Sequence, residues 1–170
     1  MATKTNYEVR ATKFAKVLAL LFEDCVYRSD YIDAIERYNQ IHTRKLKYSY
    51  GVSRIVIIRA DYVIKFDFRP TGGWSDGRAG NCKKEYDFYE FAIQEGMAHL
   101  FAKPTLLDIA GHTAEIMPRI YGVYNNRRCW WNFCTAEEEE WLWSNLNDLH
   151  DGNIGYKNDK ICVIDYAFYD

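Results

Sequence analysis

Asp148, Asn153 and Asp165 are the residues whose types and order point to a reaction. They lie in Asn147-Asp-Leu-His-Asp-Gly-Asn-Ile-Gly-Tyr156 and Ile161-Cys-Val-Ile-Asp-Tyr-Ala167: an acid, an amide five positions on, then a second acid at the end of an apolar stretch. A carboxylate such as Asp148 can orient an attacking hydroxyl. An amide oxygen and a second carboxylate, here Asn153 and Asp165, are hard donors that suit Mg²⁺ or Mn²⁺ held against phosphates. The chemistry this set would perform is phosphoryl transfer.

A second pair lies upstream. Lys65 ends the apolar run Val63-Ile-Lys65, as a lysine must if it is to reach nucleotide phosphates from a strand. Glu85 follows twenty residues later, early in an expected helix, and is the carboxylate expected to hold that lysine. Each signal is commonplace alone; their order along one chain is what carries weight. His150 reads as a brace for its turn rather than an acid-base group. Cys129, Cys134 and Cys162 with His112 fit no strong zinc spacing and read as isolated thiols.

These residues need elements to position them. Phe14, Val17, Leu18 and Leu21, then Tyr31, Ile32, Ile35, Tyr38 and Ile41, recur at helical intervals, so 9–41 reads as two helices with Ser29 or Asp30 as a cap between them. Residues 46–68 change to a strand pattern, with 53–59 and 62–68 forming a hairpin about Ala60-Asp61. Pro70 and four glycines mark 70–80 as a loop. A helix is expected over 82–100, loosely ended near Gly96, then strands at 105–109 and 113–117. Thr135 with Glu138 is a capping-box signature for a helix to about Asn145. A polar loop at 147–155 and a strand at 160–164 close the series. This order is α+β.

At 170 residues the chain has the length of one domain, expected in three parts: a helical extension over 1–45, a strand-rich lobe with a helix over 46–120 and a reduced catalytic lobe over 121–170. Its 48% hydrophobic content excludes a disordered chain, and 22 basic against 24 acidic residues leave no field to attract nucleic acid or an anionic membrane. Neither is an expected partner. Scattered cysteines and the lack of a signal-peptide pattern point to a reducing cytoplasm. The apolar run 14–22 is interrupted by Lys16 and falls far short of the ~20 residues a bilayer needs. The short basic runs Arg44 to Lys47 and Arg127-Arg128 read as solvated faces.

With Lys65, Glu85, the Asp148-Leu-His-Asp-Gly-Asn153 loop and Asp165 in that order, the chain resembles the protein-kinase-like superfamily, and most closely the small kinases of tailed bacteriophages. The resemblance covers roughly 48–167. It implies a kinase-like fold with an antiparallel-sheet lobe, its helix and a strongly reduced second lobe. It implies ATP as substrate and Mg²⁺ or Mn²⁺ as metal. Asp148 resembles the catalytic base, Asn153 and Asp165 the metal ligands, and Lys65 the phosphate-binding lysine with Glu85 as its partner. Glu115-Ile-Met-Pro118 is similar to the inner strand that runs into the hinge, which puts Met117 at the adenine. Gly51 and Ser53, with Arg54, would have to serve as the phosphate loop, which is much shorter than is usual. Asp165-Tyr166-Ala167 lacks the glycine usual at the metal-binding motif, and five residues follow Asp165, which leaves no length for an activation segment.

The function this implies is a minimal protein kinase that transfers the ATP γ-phosphate to Ser, Thr or Tyr hydroxyls of host bacterial proteins or of itself. The alternative is a kinase-derived binding protein that inhibits a host defence or regulatory factor by docking. Apolar surface left by a missing lobe makes a homodimer an expectation.

Overall fold

Alternating side chains make the sheet. The computed structural model describes residues 6–69, 80–121, 130–157 and 160–166, with only the backbone of Trp130 and Asn132. The loop expected over 70–80 lies almost wholly outside these residues, as do Cys129 and Arg127-Arg128. The chain divides into two compact units: Met1–Lys83 with Thr105–Arg119, and Lys84–Pro104 with Ile120–Asp170.

The first unit holds helices α1 (Asn6–Leu21) and α2 (Arg28–Ile41) and strands β1 (Lys47–Tyr50), β2 (Arg54–Ile58), β3 (Tyr62–Asp67), β4 (Thr105–Ile109) and β5 (His112–Pro118). The strands form one antiparallel sheet in the order β1-β2-β3-β5-β4, as expected of an α+β chain with an antiparallel sheet. Strand β1 and the bounds of β5 go beyond the sequence reading. Ala110 and Gly111 form a two-residue turn with both φ positive, 50° and 74°, which lets β5 begin at His112.

Helices α1 and α2 cover one sheet face. Ala11, Ala15 and Ala19, spaced four apart, let α1 come close, and Leu18, Phe22, Tyr31 and Ile35 fill the space against Ile55, Ile57, Ile64, Phe66 and Ile116. Phe22 meets Phe66 edge to face at 5.2 Å between ring centroids. Between the helices neither Ser29 nor Asp30 is the cap. Helix α2 begins after Tyr27, and Asp30 lies in its first turn, where its carboxylate accepts from the N–H groups of Val26 and Tyr27 at 3.0 and 2.7 Å.

Helix α3 (Asn81–Gln94) contains the boundary between the units, after Lys83. It ends before Gly96, whose φ of 77° stops it, and a short 3₁₀ turn, Ala98–Leu100, follows. The second unit continues with α4 (Ala136–Asn145), β6 (Ile154–Lys157) and β7 (Lys160–Val163). The capping box of α4 forms as expected: the Thr135 hydroxyl accepts from Glu138 N at 3.2 Å, and Thr135 N donates to Glu138 Oε2 at 2.6 Å. Strand β6 is unforeseen; residues read as a polar loop pair with β7 in a small antiparallel ladder. Gly155 fits there because a Cβ would stand 2.5 Å from Ile120 Cγ2. The core of this unit is aromatic: Phe88, Phe101, Trp141 and Tyr166 lie within 6.0 Å of one another along a chain of ring contacts. Among the described residues no helix is long and apolar enough to cross a membrane.

Candidate active site

In the second unit, the loop carrying Asp148 and Asn153 is closed by its own hydrogen bonds. A 3₁₀ turn, Asp151–Asn153, follows His150, whose Nδ1 accepts from Gly152 N at 3.0 Å while its carbonyl accepts from Asn153 N at 2.9 Å. His150 therefore braces the turn. Its Nε2 lies 3.8 Å from Asp148 Oδ1. Gly152 is needed because a Cβ there would stand 2.7 Å from the imidazole.

Asn153 ties this loop to the ladder. Its side-chain NH₂ donates to the Asp148 carbonyl at 2.9 Å, and its own carbonyl accepts from Ile164 N at 2.8 Å, which extends the β6–β7 pairing by one residue. Asp165 follows at once. Two consecutive hydrogen bonds thus run from the Asp148 carbonyl through Asn153 to Ile164, the residue before Asp165. With its NH₂ turned to Asp148, Asn153 presents its oxygen, the atom a hard cation takes, on the other branch of the amide. The Asp148 side chain is 54% exposed, open to an incoming hydroxyl.

Glu85 is fully buried on α3, and its Oε1 accepts from Tyr166 N at 2.8 Å. Tyr166 is held at its other end too, since its hydroxyl donates to the Ala102 carbonyl at 2.9 Å and its ring packs on Phe101 at 4.9 Å. The residue after Asp165 is therefore clamped at backbone and ring. This contact is additional to the pairing with Lys65 expected from the spacing.

In the first unit, Lys65 is 4% exposed and its Nζ lies 3.9 Å from Glu115 Oε2. The two are register partners across β3 and β5. Arg54 Nη1 lies 4.0 Å from the same carboxylate oxygen, so one buried acid faces two buried cations at distances beyond a hydrogen bond. Asp67, the register partner of Arg54, accepts from Cys82 N with both oxygens at 3.2 Å and so caps the start of α3. Sequence alone places Glu115 only in the strand expected to run into the hinge, not opposite Lys65. Its signal is pairing register, which a single strand does not display. Met117 lies two residues on, buried opposite Val63.

Gly51 and Ser53 form a tight turn between β1 and β2. Gly51 N donates to the Arg54 carbonyl at 3.0 Å, and the Ser53 hydroxyl oxygen accepts from Asn81 Nδ2 at 2.6 Å. The turn is thereby tied to the start of α3.

For a metal, the donor set of Asn153 and Asp165 is chemically apt: two hard oxygens suit Mg²⁺, which keeps waters and takes its remaining ligands from phosphates. Among the described residues no three His, Cys, Asp or Glu side chains gather to hold a metal. Cys162 is buried, and burial pushes its thiol up to about 11, which makes it a poor ligand or nucleophile at neutral pH.

No family model and no curated protein matches this chain. Solved structures of a bifunctional kinase-methyltransferase, WbdD, do match. A medium-resolution structure of it is 17% identical, with a TM-score of 0.44 over 68% of this chain and 29% of that one. A co-crystal structure with the kinase inhibitor LY294002 is 16% identical, with a TM-score of 0.42 over 73% and 32%. This chain therefore spans about a third of the length of that protein.

Proposed function

We propose that the chain is a minimal protein kinase that transfers the ATP γ-phosphate to Ser, Thr or Tyr hydroxyls of a host bacterial protein or of itself. The observation that carries this reading is the pair of hydrogen bonds through Asn153, which joins the Asp148 loop to the strand delivering Asp165. Asp148 orients the acceptor hydroxyl and takes its proton, and Lys65 steadies the transferred phosphate. Mg²⁺ or Mn²⁺, held by Asn153 and Asp165, would neutralise the charge that develops on the phosphates. Glu85 is the helix carboxylate that would hold Lys65, and it also fixes the backbone at Tyr166. The resemblance to phage enzymes supports reading this activity as one exercised in the cytoplasm of an infected bacterium.

Incubation with labelled ATP and Mg²⁺ or Mn²⁺ tests the reading. Phosphate incorporation is expected, lowered about 10²–10⁴-fold by Asp148→Ala and lost in Asp165→Ala. A wild-type blank with both metals, on the chain itself and on host lysate, sinks it.

A second reading, a kinase-derived protein that docks onto a host factor, is favoured by exposed tryptophans in the second unit. Trp131 and Trp143 are 44% and 55% exposed, and aromatic side chains of this kind anchor interfaces. A blank assay with host-protein binding lost in Trp143→Ala would select this reading.

A further inference from the structure

A cavity of about 510 Å³ opens where the β2–β3 turn, the start of β1, α1 and the end of β5 converge, entirely within the first unit. Arg10, Lys45, Lys47, Arg59 and Arg119 line it against a single acid, Asp61. Five cations and one anion leave an excess of four positive charges at one place, on a chain whose formal net charge is −2. Lys65 is not among the lining residues.

Four of the five cationic groups are held in position. The Arg59 guanidinium lies 4.8 Å from the centroid of the Phe14 ring, and the Arg59 carbonyl accepts from Arg119 Nη1 at 3.0 Å. The turn is closed by Arg59 N donating to the Tyr62 carbonyl at 2.9 Å and by Arg119 N donating to the Asp61 carbonyl at 3.0 Å. Arg10 pairs with the Asp61 carboxylate, and Lys45 Nζ donates to the Asn39 carbonyl. Bringing like charges together carries a cost, because their mutual repulsion destabilises the compact state. A bound anion would reverse that sign.

We propose that this cavity binds a compact anion carrying two linked phosphoryl groups. Its volume falls in the range of small-molecule sites, roughly 300–1,000 Å³, and a diphosphate of three to four negative charges would match the excess of four. Held guanidinium groups chelate phosphate oxygens in pairs, while Lys45 and Lys47 act as point charges. Ile58 and Tyr62 give one wall an apolar strip for an attached organic group. The site is independent of phosphoryl transfer at Asp148 and stands or falls by itself.

Calorimetric titration of the full chain with inorganic pyrophosphate, without divalent metal, tests it. Saturable one-to-one binding is expected, weakened at least about tenfold in the double variant Lys47→Gln/Arg59→Gln and unchanged in Lys65→Met. A second readout does not depend on variants: pyrophosphate should shield Lys45 and Lys47 from acylation, followed by mass spectrometry, and leave the exposed Lys103 reactive. ADP titrated into Lys65→Met distinguishes sources: tighter binding than pyrophosphate assigns the Ile58 and Tyr62 wall to a nucleoside, and equal binding assigns the cavity to the diphosphate alone. The proposal is overturned by the absence of saturable binding, by equal loss in Lys65→Met, or by equal shielding of Lys103. Tighter binding of poly-glutamate or a single-stranded oligonucleotide than of pyrophosphate also overturns it, because the face would then be a polyanion surface rather than a pocket.

Discussion

Ile55, Ile57, Ile64, Phe66, Ala114 and Ile116 lie on the sheet face covered by α1 and α2, whereas Arg54, Lys65, Asp67 and Glu115 alternate with them on the reverse. Successive residues of β2, β3 and β5 therefore contribute to a hydrocarbon core on one side and to buried charge on the other. A half-exposed sheet normally turns its polar side to water. Here the polar side is buried as well, with Glu115 at 0% exposed. Buried ion pairs are weak contributors to stability, since desolvation offsets most of the Coulomb attraction. The apolar face is thus the one that holds the unit together, and the charged face is the one on which the proposed chemistry would draw.

The largest effect should come from the apolar face. Phe66→Ala removes a fully buried ring packed on Phe22 and should cost about 3–5 kcal/mol in urea unfolding, enough to threaten the fold. A loss under ~1 kcal/mol would break the comparison. On the charged face, Lys65→Met should lower phosphate transfer by about 10²–10³-fold and should cost less stability than Phe66→Ala, because Arg54 still faces the buried Glu115 left behind. If stability falls as far as in Phe66→Ala, the two faces do not divide their work.

The smallest effect is in the response to pH. His112 lies at the edge of the apolar face, between the Tyr31 hydroxyl at 3.4 Å and Arg69 Nη2 at 3.1 Å. Burial, and then the nearby Arg69 charge, hold its pKa below the usual histidine value. The unfolded chain therefore takes up a proton at a higher pH than the folded one. Stability should be full above the ordinary histidine pKa of about 6.5 and decline as pH falls below it, down to the folded pKa. Urea midpoints between about pH 7 and pH 5 should show that decline, and His112→Gln should flatten it. A slope unchanged by His112→Gln would assign the effect to other groups.

The legible parts of the chain were those whose signal is local. Periodicity marked both N-terminal helices and the hairpin, and Thr135 with Glu138 marked the start of α4, because a capping box closes over four residues. Asp148, Asn153 and Asp165 were visible as a pattern of types. Strand β6 was not, since Ile154 to Lys157 have too few β-branched residues to stand out before β7 pairs with them. The lysines at 45 and 47 read as a solvated face, yet the fold brings them to Arg59 and, across more than seventy positions, to Arg119.

By itself, the sequence determined which side chains could orient a hydroxyl, grip a phosphate or ligate a hard cation, because those properties belong to single residues and short spacings. It also determined the alternation that gives the sheet two unlike faces, since a strand's side chains have a period of two wherever it lies. Tertiary structure alone decided the partners. Register set Glu115 against Lys65, a hydrogen bond across 81 positions gave Glu85 to Tyr166, and chain convergence gathered five cations around one cavity. Such encounters depend on how strands and turns pack, and no local spacing encodes them.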